Sequence, residues 1–133
     1  MIRRPRYMEV LRTYRDVPLV KILAGIRRCG KSTLLEMWRT ELLTSGVAAD
    51  HVLSERYTAE SYYNGLTARE MVQRIRAKMT DDSRYYLLLD EVQEVEDWER
   101  AVNSLLESAN VDIYVTGSNS RLMAGEISTY LSG

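Results

Sequence analysis

Gly25-Ile-Arg-Arg-Cys-Gly30-Lys31-Ser32 fills the pattern G-x-x-x-x-G-K-[ST] without a mismatch. The pattern has a physical cause. Successive backbone amides must turn inward around phosphate groups, and glycine permits both the dihedrals and the close approach. The lysine reaches the β- and γ-phosphates, and the hydroxyl of the last residue ligates Mg²⁺. A helix that opens at this point aims the positive end of its dipole at the same anion. A chain of this size and ordinary composition meets the pattern by accident roughly 0.5% of the time. The flanks also fit. Leu19–Ala24 reads as a strand, and Lys31 to about Leu43 as a helix with Leu34, Leu35, Trp38 and Leu42 along its buried stripe. Gly25, Arg28, Cys29, Gly30, Lys31 and Ser32 are therefore candidate contacts to a nucleoside triphosphate, with Lys31 also a catalytic candidate and Ser32 a metal ligand. The side chains of Arg27 and Arg28 either add charge near the phosphates or project into solvent. Cys29 reads either as a small filler or as a thiol whose pKa the helix N-terminus lowers.

A second site follows 59 residues after Lys31, where the apolar run Tyr85-Tyr-Leu-Leu-Leu89 ends in Asp90-Glu91. Such runs suit a central strand covered on both faces. In a parallel α/β sheet the carboxyl end of that strand lies beside the phosphate loop. Asp90 there holds Mg²⁺ through water. Glu91 orients and polarises an attacking water as general base. The competing reading of Glu91 is a solvated charge in the acidic stretch DEVQEVEDWE. A third strand, Val111–Val115, runs into Thr-Gly-Ser118-Asn119. If it lies between the other two, Ser118 or Asn119 senses the γ-phosphate or aligns the water. An ordinary turn accounts for the same residues equally well.

The remaining chain alternates helix and strand. Pro5 to Tyr14 reads as a helix with Tyr7, Val10, Leu11 and Tyr14 on one face, and Val52–Tyr57 as a weak strand. Thr67-Ala-Arg-Glu70 forms a capping box, followed by an apolar face of Met71, Val72, Ile75 and Met79. Trp98, Ala101, Val102, Leu105, Leu106 and Ala109 mark a further helix from about Asp97, and a helical segment begins near Ser120. The alternation predicts a parallel sheet with helices on both faces.

Composition sets the bounds. With 45% hydrophobic and 28% charged residues the chain is globular rather than disordered. No apolar run approaches the roughly 20 residues of a membrane span, and no apolar stretch follows the basic N-terminus as in a secretory signal. The one cysteine allows no internal disulfide, which fits a cytoplasmic setting. The one histidine, His51, and the lack of a Cys/His cluster support no zinc site. Charge is lopsided: residues 1–40 hold 10 Lys+Arg against 3 Asp+Glu, and the rest hold 8 against 16. A basic third around a polyanionic ligand explains this.

The segments KILAGIRRCGKSTLL, YLLLDEVQEVEDWERAVNSLL and DIYVTGSNSRLMAGEISTYLSG resemble the AAA+ superfamily. The resemblance is to the predicted prokaryotic ATPases that join an N-terminal AAA+ domain to a C-terminal domain of unknown function. It implies a P-loop NTPase three-layer sandwich with strand order 5-1-4-3-2, ATP as nucleotide and Mg²⁺ as cofactor. It places Lys31, Ser32 and Thr33 in Walker A, Asp90 and Glu91 in Walker B, and Ser118 or Asn119 at sensor 1. It also puts Pro5 and Tyr7 near the adenine. SERYTAESYYNG, residues 54–65, departs from the family pattern and leaves the second strand open. The family continues past Gly133 with an arginine, a fifth core strand and the C-terminal domain. The chain therefore reads as one partial AAA+ domain, with strand 5 and the arginine finger beyond it and Leu19–Ala24 left as an open, association-prone edge. A homo-oligomer through the AAA+ interface is a further implication, and the client is not legible.

Three functions remain in competition: an ATPase acting on a macromolecule, a small-molecule phosphotransferase, and a nucleotide-binding module without turnover. Asp90-Glu91 favours hydrolysis over transfer. The absence of an N-K-x-D motif disfavours GTP.

Overall fold

All six residues of Tyr85–Asp90 are buried, yet they serve two different cores. In the computed structural model, which describes residues 4–23, 28–117 and 128–131, Tyr85, Leu87 and Leu89 face one hydrophobic cluster. Tyr86 and Leu88 face another. The period of two sends alternate side chains to opposite faces, so a strand covered on both must be apolar throughout.

The described elements are α1 (Arg4–Tyr14), β1 (Val20–Leu23), α2 (Arg28–Thr44), β2 (Val52–Arg56), α3 (Ala59–Tyr63), α4 (Ala68–Ala77), β3 (Tyr85–Asp90), α5 (Trp98–Ser108), β4 (Val111–Thr116) and β5 (Ser128–Leu131). Five strands form one sheet in the order β2-β3-β4-β1-β5, and every pairing is parallel. Met8 and Leu11 of α1 and Leu34, Leu35, Trp38 and Leu42 of α2 cover one face with Tyr86, Leu88 and Tyr114. Met71 and Ile75 of α4 and Trp98, Ala101, Val102 and Leu105 of α5 cover the other. A bidentate contact from Arg12 to Glu41, 2.6 Å for each bond, ties α1 to α2. Among the described residues no helix is long and apolar enough to cross a membrane.

The expected order 5-1-4-3-2 is the one found, with a correction. The fifth strand, expected beyond Gly133, lies within the chain: Ser128–Leu131 pairs with Val20–Leu23 in register. β1 is therefore interior to the sheet, and the expected open edge there is absent. Four residues are too few for either period to show in a sequence, so backbone pairing with the buried β1 decides this element. The expected helix from Ser120 falls largely on residues 118–127, outside the described ones, and 128–131 are strand rather than helix. The doubtful second strand does form, pairing Val52 to Arg56 with Tyr86 to Asp90. A short helix, α3, follows it unforeseen. The capping box is half made. The Glu70 amide donates to the Thr67 hydroxyl (3.1 Å), while the Glu70 carboxylate accepts from that hydroxyl (3.3 Å).

Candidate functional site

Strand parity builds the site. Asp90 follows Leu88 by two residues and so faces the α2 side, and Thr116 follows Tyr114 by two and faces the same side. The β3–β4 register pairs Leu89 with Val115, which sets Asp90 and Thr116 side by side at the carboxyl edge. On the other flank Arg56 is in register with Asp90, and its Nε lies 3.8 Å from Asp90 Oδ2. Thr116 is in register with Leu23, the last residue of β1. The chain then returns as α2, whose first turns carry Gly30, Lys31, Ser32 and Thr33.

The polar groups converge at this edge. The Ser32 hydroxyl donates to Asp90 Oδ2 at 2.6 Å. Lys31, only 5% exposed, donates from Nζ to the Gly117 carbonyl at 2.6 Å. The Thr116 hydroxyl donates to Asp90 Oδ1 and accepts from the Glu91 amide at 3.0 Å. Glu91 is itself buried rather than a solvated member of an acidic run. Its backbone sits in the left-handed region at φ 57°, and Gln93 Nε2 donates to its Oε1 at 2.9 Å. A non-glycine residue held there costs on the order of 1–3 kcal/mol and persists only where its surroundings fix it. An open cleft lined by Ser32, Leu35, Arg39, Arg56 and Asp90 leads from the carboxylate to solvent.

Of the residues singled out in the sequence, the structure brings together Lys31, Ser32, Asp90 and Glu91. Gly30 and Thr33 lie on the same first turns of α2, and Arg28 and Cys29 open that helix, three residues before its expected start. Pro5 lies in α1. Tyr7 is half-buried and packs on the α1–α2 side of the core. Gly25, Ser118 and Asn119 lie outside the described residues. Sequence reasoning missed Thr116, the Gly117 carbonyl, Gln93 and Arg56. The register that joins Thr116 to Asp90 leaves no local trace, although a strand ending in threonine beside one ending in aspartate was a usable signal.

Two hard oxygen donors, the Ser32 hydroxyl and an Asp90 carboxylate oxygen, meet at hydrogen-bond distance. That donor set suits Mg²⁺, which takes one or two protein oxygens and keeps several waters.

A family described as "AAA domain" matches residues 18–133 of the chain. An uncharacterized protein of Haemophilus influenzae is 39% identical over 134 residues, covering 100% of this chain and 34% of its own length. The chain thus spans about a third of that relative. Among solved structures, a DNA polymerase III gamma subunit-related protein from Thermotoga maritima superposes with a TM-score of 0.61 at 10% identity, covering 96% of this chain and 46% of its own. PCH-2 of C. elegans superposes with a TM-score of 0.56 at 18% identity, covering 96% and 38%. At such identities the likeness is one of fold.

Proposed function

Because the chain belongs to the AAA family of ATPase-type domains, we propose that it binds ATP with Mg²⁺ and hydrolyses it to ADP and phosphate as part of a larger protein. The observation that carries this reading is the meeting of Ser32 and Asp90 at 2.6 Å, with buried Lys31 and Glu91 at the same sheet edge.

Each residue has work that its position supports. The backbone amides of residues 25–30, those of 28–30 in the first turn of α2, are the proposed phosphate contacts, with the favourable dipole end of that helix beside them. Lys31 supplies a cation beside them. Ser32 and Asp90 would hold Mg²⁺, which when bound supplies positive charge against the β- and γ-phosphates. Glu91, next to Asp90 on the buried strand end, accepts a proton from water as it attacks. Gln93 restrains the Glu91 carboxylate and so fixes its direction. Ser118 and Asn119 continue the chain from β4 and are the proposed γ-phosphate sensors. Pro5 and Tyr7 are the proposed adenine contacts. Oligomerisation through the AAA interface and action on a macromolecular client belong to the same proposal.

The test is turnover by the full-length protein with Glu91→Gln, which keeps shape and hydrogen bonding but removes the base. ATP binding is expected to persist while phosphate release falls by at least about 10²-fold, the low end for general-base catalysis. Wild-type turnover in the variant would remove Glu91 from the mechanism. A phosphorylated metabolite in place of free phosphate would make the protein a phosphotransferase.

A further inference from the structure

The Thr116 hydroxyl touches both members of the acidic pair: it donates to Asp90 Oδ1 and accepts from the Glu91 amide. Thr116 itself is wholly buried. The direction of each bond is fixed by chemistry, since an amide N–H only donates and an ionised carboxylate only accepts. The hydroxyl therefore has one orientation that satisfies both.

Two consequences follow. With Oδ1 taken by Thr116, the Asp90 carboxylate cannot turn without breaking that bond, so Oδ2 stays directed at Ser32. The Glu91 amide is tethered where the backbone takes its left-handed turn at φ 57°. Holding that amide helps the fold retain a conformation that a glutamate otherwise disfavours. Thr116 is also suited to the task as a side chain. A β-branched residue in a central strand has little χ1 freedom, and Leu23 and Asp90 flank it on the two neighbouring strands.

We infer that Thr116 is a positioning residue for the proposed hydrolysis, holding Asp90 toward the metal and Glu91 toward the water with one hydroxyl. The inference rests on the ATPase reading and adds to it a residue on β4 that the motifs do not contain. Its loss impairs metal use and turnover more than it impairs contact with the nucleotide, because among the described residues the Thr116 hydroxyl bonds to Asp90 and Glu91 and not to Lys31.

The experiment compares Thr116→Val and Thr116→Ser with wild type in full-length protein. Valine keeps the shape and removes the hydroxyl, whereas serine keeps the hydroxyl. Three quantities are read: the ATP dissociation constant in EDTA, the Mg²⁺ concentration that half-saturates the increase in ATP affinity, and phosphate release per bound nucleotide. Normalising to bound nucleotide discounts any unfolded protein. Thr116→Val is expected to bind ATP in EDTA as wild type does. It should need about 10-fold or more Mg²⁺ and turn over about 10- to 100-fold more slowly, the usual range for residues that orient a metal ligand. Thr116→Ser is expected to recover most of both losses. A Val variant with wild-type Mg²⁺ requirement and turnover overturns the inference, as does a Ser variant no better than Val. Wild-type protein that neither binds nor hydrolyses ATP overturns the ATPase reading itself, and the inference with it.

Discussion

Lys21 and Asp112 form an ion pair with no exposed side-chain surface, near the amino ends of β1 and β4 and away from the acidic edge. Burial pushes the Lys21 ammonium below its usual pKa, against the pull of the Asp112 hydrogen bond. Asp112 also accepts from the Asp16 amide at 2.9 Å and from the Tyr114 hydroxyl at 2.6 Å. Removing one charge from such a pair leaves the other buried without its counter-ion, which costs about 3–5 kcal/mol. Lys21→Met is therefore expected to destabilise the protein by about that amount in chemical denaturation; unchanged stability would mean Asp112 is compensated without it. At this scale the sequence is legible where chemistry forces the residue type. Lys31, Ser32, Asp90 and Glu91 are recognisable because, in the proposed roles, phosphate, metal and water each demand one kind of group. Lys21 is not, because nothing local in Leu-Val-Lys-Ile-Leu marks its lysine as buried. Only the pairing with β4 shows that it is enclosed.

The elements with strong periodicity were legible, and the short ones were not. Leu34, Leu35, Trp38 and Leu42 of α2 are all buried as their spacing predicts. In α1 the deepest residues are Met8 and Leu11, with Tyr7, Val10 and Tyr14 only partly covered. β5 escaped notice for want of length, and it changes an expectation: β1 has a neighbour on each side and is not an aggregation-prone edge. Deleting residues 128–133 should restore that edge, because all four residues of β1 are buried and unpaired apolar strands template association. Light scattering should show self-association of the shortened chain beyond that of the 133-residue chain; equal monodispersity would mean β5 does not protect β1. A second link between elements is titratable. His51, in the turn before β2, contacts Asp50 at 2.9 Å and Asp81 at 3.2 Å and stacks on Tyr85 with ring centroids 4.4 Å apart. Desolvation opposes its protonation, but the hydrogen bonds and charges of Asp81 and Asp50 outweigh it, and the pKa is raised above 6.5. A raised folded pKa means a stabilising contribution that is complete below the unfolded value and lost as pH rises through the folded one. His51→Gln should therefore lower the thermal midpoint below about pH 6 more than above about pH 8. An equal change at both would assign His51 a packing role alone.

For the whole molecule, alternation of helix and strand was enough to predict a parallel sheet, because each apolar strand needs a helix on either face. The strand order came from the resemblance and not from any period. The structure accounts for it physically: β4 lies between β1 and β3, so its polar end meets both the loop strand and the acidic strand. The site is thus a property of the sheet order, since Lys31 contacts Gly117 while Ser32 and Thr116 share Asp90. The central claim is that this edge holds a triphosphate. Calorimetric titration of ATP with Mg²⁺ into the chain and into its Lys31→Ala variant tests it most directly. Loss of a hydrogen bond from a charged group is worth about 1.5–3 kcal/mol, so the variant should bind roughly 10- to 150-fold more weakly. Equal affinities, or no binding by the unaltered chain, would contradict the account.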